Sequence, residues 1–363
     1  MSRPAPHDLP APAQRLLFLD ALRAFASLTI LWHHFALYPP LREWAAPLAG
    51  GILDWFEHHA RATQVFFVVG GYVMARTMHD RRWDFRGAGG FVVLRYCRLG
   101  IPYLAVIALV IPVCAFGRGW LPDPVVGGVP TLPQLLAHVF FLQDVLGYEQ
   151  LSAGLWFVCI NFQLGLIYLA GLLLRDLLPK TGIRRLPDAS LAIGWVLSAL
   201  GLFHFNLNPG WDRWALYFYP YFFMGIVVHR GLKDRSGQIG FWCFMAMLVA
   251  AMAYDWRWRL LSALVVGGLL FVAEKTGFGG RWPRTRWVLM LGRVSYSLFL
   301  IHFPVLVLVA SVWSRMGWTS PWAGVAGLLA AFGLSVAAAM AFFRWIEAPA
   351  GRLVKRLRKS RYG

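Results

Sequence analysis

The chain has 363 residues, 58% of them hydrophobic and only 14% charged, where a soluble domain carries about 25% charged residues; an ordinary soluble enzyme is excluded. The net charge is +18, yet the cations sit in short loops between apolar runs and in the tail 351–363, a pattern of membrane topology and not of a nucleic-acid surface. The four cysteines Cys97, Cys114, Cys159 and Cys243 have neither disulfide nor metal-ligand spacing, so they read as packing residues, and no metal site is expected.

Ten apolar runs predict ten membrane-spanning helices, at 16–38, 63–78, 99–116, 152–174, 189–205, 214–228, 239–254, 260–273, 288–313 and 323–343. The expected fold class is therefore all-α, a polytopic bundle. Residues 1–15 are expected to form a cytoplasmic amino-terminal tail, 16–349 one membrane domain and 350–363 a basic cytoplasmic tail, with no soluble domain expected on either side. The first run is too long, and carries too much internal charge, to read as a cleaved signal peptide. The stretch 132–146, short and carrying His138, Gln143 and Asp144, predicts a re-entrant or interfacial helix. Segment 117–151 is rich in proline and glycine, and reads either as a lid over an acceptor site or as a plain connection.

Charge sets the orientation. With the amino terminus in the cytoplasm, the inner loops hold Arg81, Arg82, Arg86, Arg95, Arg98, Arg175, Lys180, Arg184, Arg185, Arg230, Lys233, Arg235, Lys275, Arg281, Arg284 and Arg286. The outer loops hold Arg42, Arg61, Arg118, Arg213, Arg257, Arg259 and Arg315. Both termini are thus expected in the cytoplasm, in a bacterial inner membrane. Eleven spans, with the tail outside, would place its cations on the wrong side.

Ionisable groups inside a span are costly and mark functional candidates. The first run, LLFLDALRAFASLTILWHHF, contains Asp20, Arg23 and His34. Arg23 and His34 share a helix face about 16 Å apart along the axis, and Asp20 lies one turn from Arg23. A neutral imidazole at this place can take the proton of a hydroxyl. The permanently charged Arg23 can orient Asp20, bind an anion or stabilise an oxyanion. The bland alternative is a structural Asp–Arg pair with a packed histidine. In LRYCRLGIPY, Arg95 and Arg98 project from one face and suit a phosphate clamp or an anchor to lipid headgroups. In GLWFVCINFQLG, Trp156, Asn161 and Gln163 can bind sugar hydroxyls or neighbouring helices. LGRVSYSLFLIHFPV brings Ser295, Tyr296 and His302 into a span, and FFRWIEAP ends with Arg344 and Glu347, which read either as a surface ion pair or as part of the site. Nucleophile-elbow, zinc-protease and Gly-rich nucleotide-loop motifs are absent from the sequence.

Taken together these segments resemble the acyltransferase family three, integral-membrane enzymes that acylate bacterial surface glycans and some secondary metabolites. LDALRAFASLTILWHHF is similar to that family's opening Arg and His motif, placed on Arg23 and His34. FFVVGGYVM is similar to its second-span segment, Arg95 and Arg98 match its R-x-x-R, and LGRVSYSLFLIHFPV and FRWIEAP resemble its closing segments. The resemblance implies about ten helices and an acyl-CoA donor, commonly acetyl-CoA, used as co-substrate and not as a resident cofactor. It also implies His34 as the essential catalytic residue, supported by Arg23; Asp20 joins them by its place one turn from Arg23, and His34 reads either as base or as acyl relay. Arg95 and Arg98 would hold coenzyme A phosphates, and Trp156, Asn161, Gln163, Ser295, Tyr296, His302 and Glu347 would bind substrate or support the site. Asn161 and Gln163 stand where many members carry an acidic residue, and the esterase-like carboxy-terminal domain of many members is not expected. The expected activity is O-acyl transfer to a carbohydrate or glycolipid in contact with membrane lipid. The rival function is a transporter or flippase for a lipid-linked sugar or metabolite; a third is an inactive partner in glycan assembly.

Overall fold

The computed structural model describes residues 16–60, 62–178 and 188–362. The expected tail 1–15 and the loop cations Arg61, Lys180, Arg184 and Arg185 lie outside the described residues. What is described is helical, with no strand.

The helices, in chain order, are α1 (Leu17–Leu37), α2 (Leu41–His59), α3 (Thr63–Met78), α4 (Phe85–Gly117), α5 (Asp123–Val126), α6 (Leu132–Val139) and α7 (Leu155–Leu177). There follow α8 (Ala189–Phe203), α9 (Ala215–Gly231), α10 (Arg235–Tyr254), α11 (Trp258–Lys275), α12 (Arg286–Arg315), α13 (Pro321–Phe342) and α14 (Ala348–Tyr362). A helix stands at each of the ten predicted positions. Six of these, α4, α7, α8, α10, α12 and α13, are long and apolar enough to cross a bilayer. The other four, α1, α3, α9 and α11, are shorter or more polar. Almost every side chain of α9 is buried, with α3, α8, α10 and α11 packed around it.

Long helices alternate in direction and gather their ends on two faces. On one face Lys233 pairs with Asp80 at 2.9 Å and Arg175 with Asp176 at 2.9 Å. Three helices begin there on aspartate caps: Asp84 accepts from Gly87 N–H, Asp188 from Ser190 N–H and Asp234 from Gly237 N–H. We call this the basic face and the opposite one, which carries segment 117–151, the loop face. Exposed tryptophans fringe both: Trp282, Trp287 and Trp345 at the basic end, Trp256, Trp258, Trp318 and Trp322 at the other, as at the two interfaces of a membrane.

Small residues let the helices touch. A Cβ on Gly71 of α3 would stand 1.8 Å from the Phe222 carbonyl oxygen of α9, and one on Gly225 of α9 would stand 2.0 Å from that of Val68. The seam between α1 and α12 closes the same way, with Gly292 against the backbone of Asp20 (2.2 Å). That contact holds the Asp20–Arg23 end of α1 in register with α12.

Three elements depart from the expected spans. Helix α4 begins far ahead of residue 99, so Arg95 and Arg98 lie within it and not at its entry. Helix α2 replaces a predicted loop. Its first-turn Arg42 donates to Asp54 at 2.9 Å and Glu57 at 2.6 Å, a reach that a straight helix forbids; Pro47 and the pair Gly50, Gly51 let it bend. The stretch 132–146 is helical only over α6, whose buried His138 donates from Nδ1 to the Gln134 carbonyl and accepts the Leu151 N–H at Nε2.

Candidate functional site

Helices α1, α3, α4, α7 and α12 line two cavities, one toward each face. The loop-face cavity has a volume of about 810 Å³ and holds His33, His34, Gln64 and Trp156 on its walls. The basic-face cavity, about 590 Å³, is lined by Asp20, Arg23, Arg98, Asn161, Ser295, Tyr296 and Glu347, among others.

At the base of the loop-face cavity, His34 Nδ1 lies 2.6 Å from His302 Nε2. The two rings are nearly parallel, 5° apart. The hydrogen-bond chain fixes both tautomers. His302 Nδ1 faces the Leu298 carbonyl at 3.1 Å, and a carbonyl only accepts, so that nitrogen carries the proton. His302 Nε2 is then an acceptor, and His34 Nδ1 must donate to it. The lone pair of a neutral His34 is therefore on Nε2, which has no hydrogen-bond partner among the described residues, on a side chain that lines the cavity. The arrangement is that of a base or nucleophile oriented through its second nitrogen. Once His34 Nε2 takes a proton, the Nδ1 proton can pass toward His302, which spreads the charge. His302 is fully buried and lines neither cavity, whereas its partner His34 lines the loop-face one. His33 turns aside, its Nδ1 donating to the Phe56 carbonyl at 3.1 Å.

The basic-face cavity concentrates charge. Arg23, Arg98, Arg293, Arg352 and Lys355 line it, against only Asp20 and Glu347. Arg23 and Asp20 stand 3.9 Å apart one turn along α1. Glu347 lies within electrostatic reach of Arg98 and Arg23, and the Ser297 hydroxyl donates to it. It stands in a single π-helical turn, Phe343–Glu347, between α13 and α14, an irregularity that shifts side chains out of α-helical register. Tyr296 donates to the Leu99 carbonyl at 2.9 Å, and Ser295 to that of Gly292 at 3.0 Å. Asn161 keeps a buried Oδ1 with no hydrogen-bond partner, a polar atom free for a ligand.

The structure separates the two arginines of R-x-x-R. Arg98 lines the cavity, whereas Arg95 donates to the Asn161 carbonyl at 2.7 Å and toward Met74 Sδ at 3.1 Å, its guanidinium pressed against Gly165. Gln163 likewise donates to the Phe141 carbonyl at 3.3 Å and braces α7 against segment 117–151. Arg344 is exposed while Glu347 turns to Ser297. The sequence reading missed Arg293, Arg352 and Lys355, which looked like ordinary basic-face charge; Arg293 sits beside the singled-out Ser295 and was the legible one.

Segment 117–151 walls the loop-face cavity. Arg118 donates to the carbonyls of Gly127 at 3.2 Å and Gly128 at 2.7 Å, and Asp123 and Glu149 face the same space as Trp156, Asp212 and Arg259. Burial pushes the Asp144 carboxyl up to about 6, and Gln150, which donates to it at 2.6 Å, only partly offsets this. Among the described residues no group of three histidine, cysteine or acidic side chains could hold a metal ion.

A family model described as an acyltransferase domain matches residues 16–343. The glucans biosynthesis protein C of Salmonella schwarzengrund (strain CVM19633) is 26% identical over 347 residues, covering 81% of this chain and 83% of that protein. No solved structure matches.

Proposed function

The chain belongs to this acyltransferase family, and from that premise we propose that it moves an acyl group from acyl-CoA, acetyl-CoA first among the candidates, to a hydroxyl of a carbohydrate or glycolipid. It is an acyltransferase and a membrane protein; the donor, the acceptor, the residue roles and the sidedness are our reading. In this reading all ten predicted helices span the bilayer, with the basic face in the cytoplasm, where acyl-CoA is found, and the loop face outside.

The observation that carries the proposal is the free Nε2 of His34 beside a cavity, fixed by the bond from its Nδ1 to His302. The acceptor hydroxyl gives its proton to Nε2 as its oxygen attacks the thioester carbonyl. The carbon–sulfur bond then breaks, and the proton returns to the departing thiolate, leaving free coenzyme A. Arg98, with Arg293, Arg352 and Lys355, holds the donor's phosphates at the basic face. Arg95 braces that wall from behind. Asn161, Tyr296 and Glu347 flank the donor arm. On the other side Trp156 offers a ring, and Gln64, Asp123 and Glu149 offer polar groups, a mixture suited to a polyhydroxylated ring. The name of the Salmonella relative supports a glucan-like acceptor.

The test uses labelled acetyl-CoA in inverted membrane vesicles containing wild type or His34→Ala. Wild type should release coenzyme A thiol in step with label entering a glycan or lipid fraction. His34→Ala should lower this by roughly 10²- to 10⁴-fold. Equal transfer by both proteins would remove His34 from its role.

A further inference from the structure

The two cavities meet at Phe299, which lines both. On each of five helices the lining residues continue from one cavity to the other: Arg23 to His34 on α1, Gly70 to Gln64 on α3, Arg98 to Val110 on α4, Asn161 to Trp156 on α7, and Ser295 to Phe303 on α12. Between them Phe66, Phe157 and Phe299 form a closed triangle, with ring centroids 5.7 Å, 6.0 Å and 5.2 Å apart. Phe299 lines both cavities and touches His302, at 6.2 Å between centroids. Its ring is seated against the start of α7. There Gly154 has a φ of +86°, and a Cβ on it would lie 2.8 Å from Phe299 Cζ. Few residues but glycine take that backbone, so the seat is kept clear.

We propose that Phe66, Phe157 and Phe299 form a gated septum through which only the thin acyl-bearing arm of the donor passes, and that the ring of Phe299 sets the longest acyl chain accepted. This rests on the donor reading above. The charged phosphates stay among the cations of the basic-face cavity, because an apolar ring layer offers them no partners. From Arg293 to His302 the rise along α12 is about 14 Å, a distance for an extended pantetheine-like chain and not for an acyl group alone. Closed, the rings keep the two cavities apart between turnovers.

The test compares acetyl- and hexanoyl-CoA in wild type, Phe299→Ala and the milder Phe299→Leu. Phe299→Ala should raise the hexanoyl-to-acetyl ratio of kcat/KM by roughly tenfold or more, with Phe299→Leu between it and wild type. A general fall in rate with the ratio unchanged in both variants would overturn the filter. A second readout needs no turnover. In a chain whose native cysteines are replaced, Ser295→Cys marks the basic-face cavity. A charged thiol reagent should reach it from the basic face alone when Phe299 is present, and from both faces once Phe299→Ala is added. Labelling from the loop face in the presence of Phe299 would remove the septum. Failure of wild type to use any acyl-CoA would instead strike the donor reading and leave the labelling result to decide the septum.

Discussion

The two cavities lie end to end on the same five helices, yet they are built differently. The basic-face cavity gathers five cations around two carboxylates, and its polar groups are drawn from helices and from the turn at Glu347. The loop-face cavity mixes carboxylates, amides, imidazoles and a tryptophan, and much of its wall is the irregular segment 117–151. A polyanion suits the first and a ligand rich in hydroxyls the second. Under the proposed function, the contrast teaches that the helices fix where the reaction occurs, while the loops shape what is acylated. The histidine pair stands where the two chemistries meet.

The largest effect expected, after loss of His34 itself, comes from His302→Phe. It leaves the Nδ1 proton of His34 without its acceptor and frees the ring to turn. kcat should fall roughly tenfold to hundredfold while the KM for acyl-CoA holds. Steady-state rates against donor concentration check this; a changed KM at constant kcat would place His302 in donor binding instead. Next, Arg98→Ala should raise the KM for acyl-CoA by about tenfold without moving the KM for the acceptor. The effect should shrink as salt is raised. An equal effect on both substrates would dissolve the division between the cavities.

The smallest effect concerns the loop face. Burial raises the Asp144 carboxyl to about 6, above the ~3.9 of an unfolded aspartate. The folded state therefore favours the protonated form. The stability this group contributes is full below pH ~4 and is lost as pH rises through about 6. Asp144→Asn, which still accepts from Gln150, should melt higher than wild type at pH 7, by no more than about 2–4 °C. The difference should close on acidification to pH 4. Melting curves at the two pH values check the sign.

Much of this is legible in the sequence. Spans of uninterrupted hydrophobicity located ten helices, because in a membrane the length and apolarity of a segment nearly dictate its structure. Residues expensive to bury, Asp20, Arg23, His34, Ser295, Tyr296 and His302, marked α1 and α12 as lining helices for the same reason. Periodicity along one helix could not show that His34 meets His302 across 268 residues of chain, since that contact depends on the Gly292 seam. Nor could it separate Arg95 from Arg98: three residues apart, they share a face, but Gly165 on α7 leaves room for one guanidinium and draws it away. Helix α2 was illegible because its polar first and last turns satisfy one another only through a bend. The triangle of Phe66, Phe157 and Phe299 was illegible, since the three come from different helices and nothing in the sequence sets them apart from other phenylalanines of the spans; of the three, Phe299 lines both cavities.

The central claim, that donor and acceptor reach His34 from opposite faces, is tested most directly in sealed vesicles of known orientation. Acetyl-CoA labelled on the acetyl group is supplied at the basic face only, with acceptor glycan only at the loop face. The account predicts that label appears on the loop-face glycan while free coenzyme A stays on the basic side, and that His34→Ala abolishes both. Label confined to the basic side, or acetylation that requires acetyl-CoA at the loop face, would contradict it.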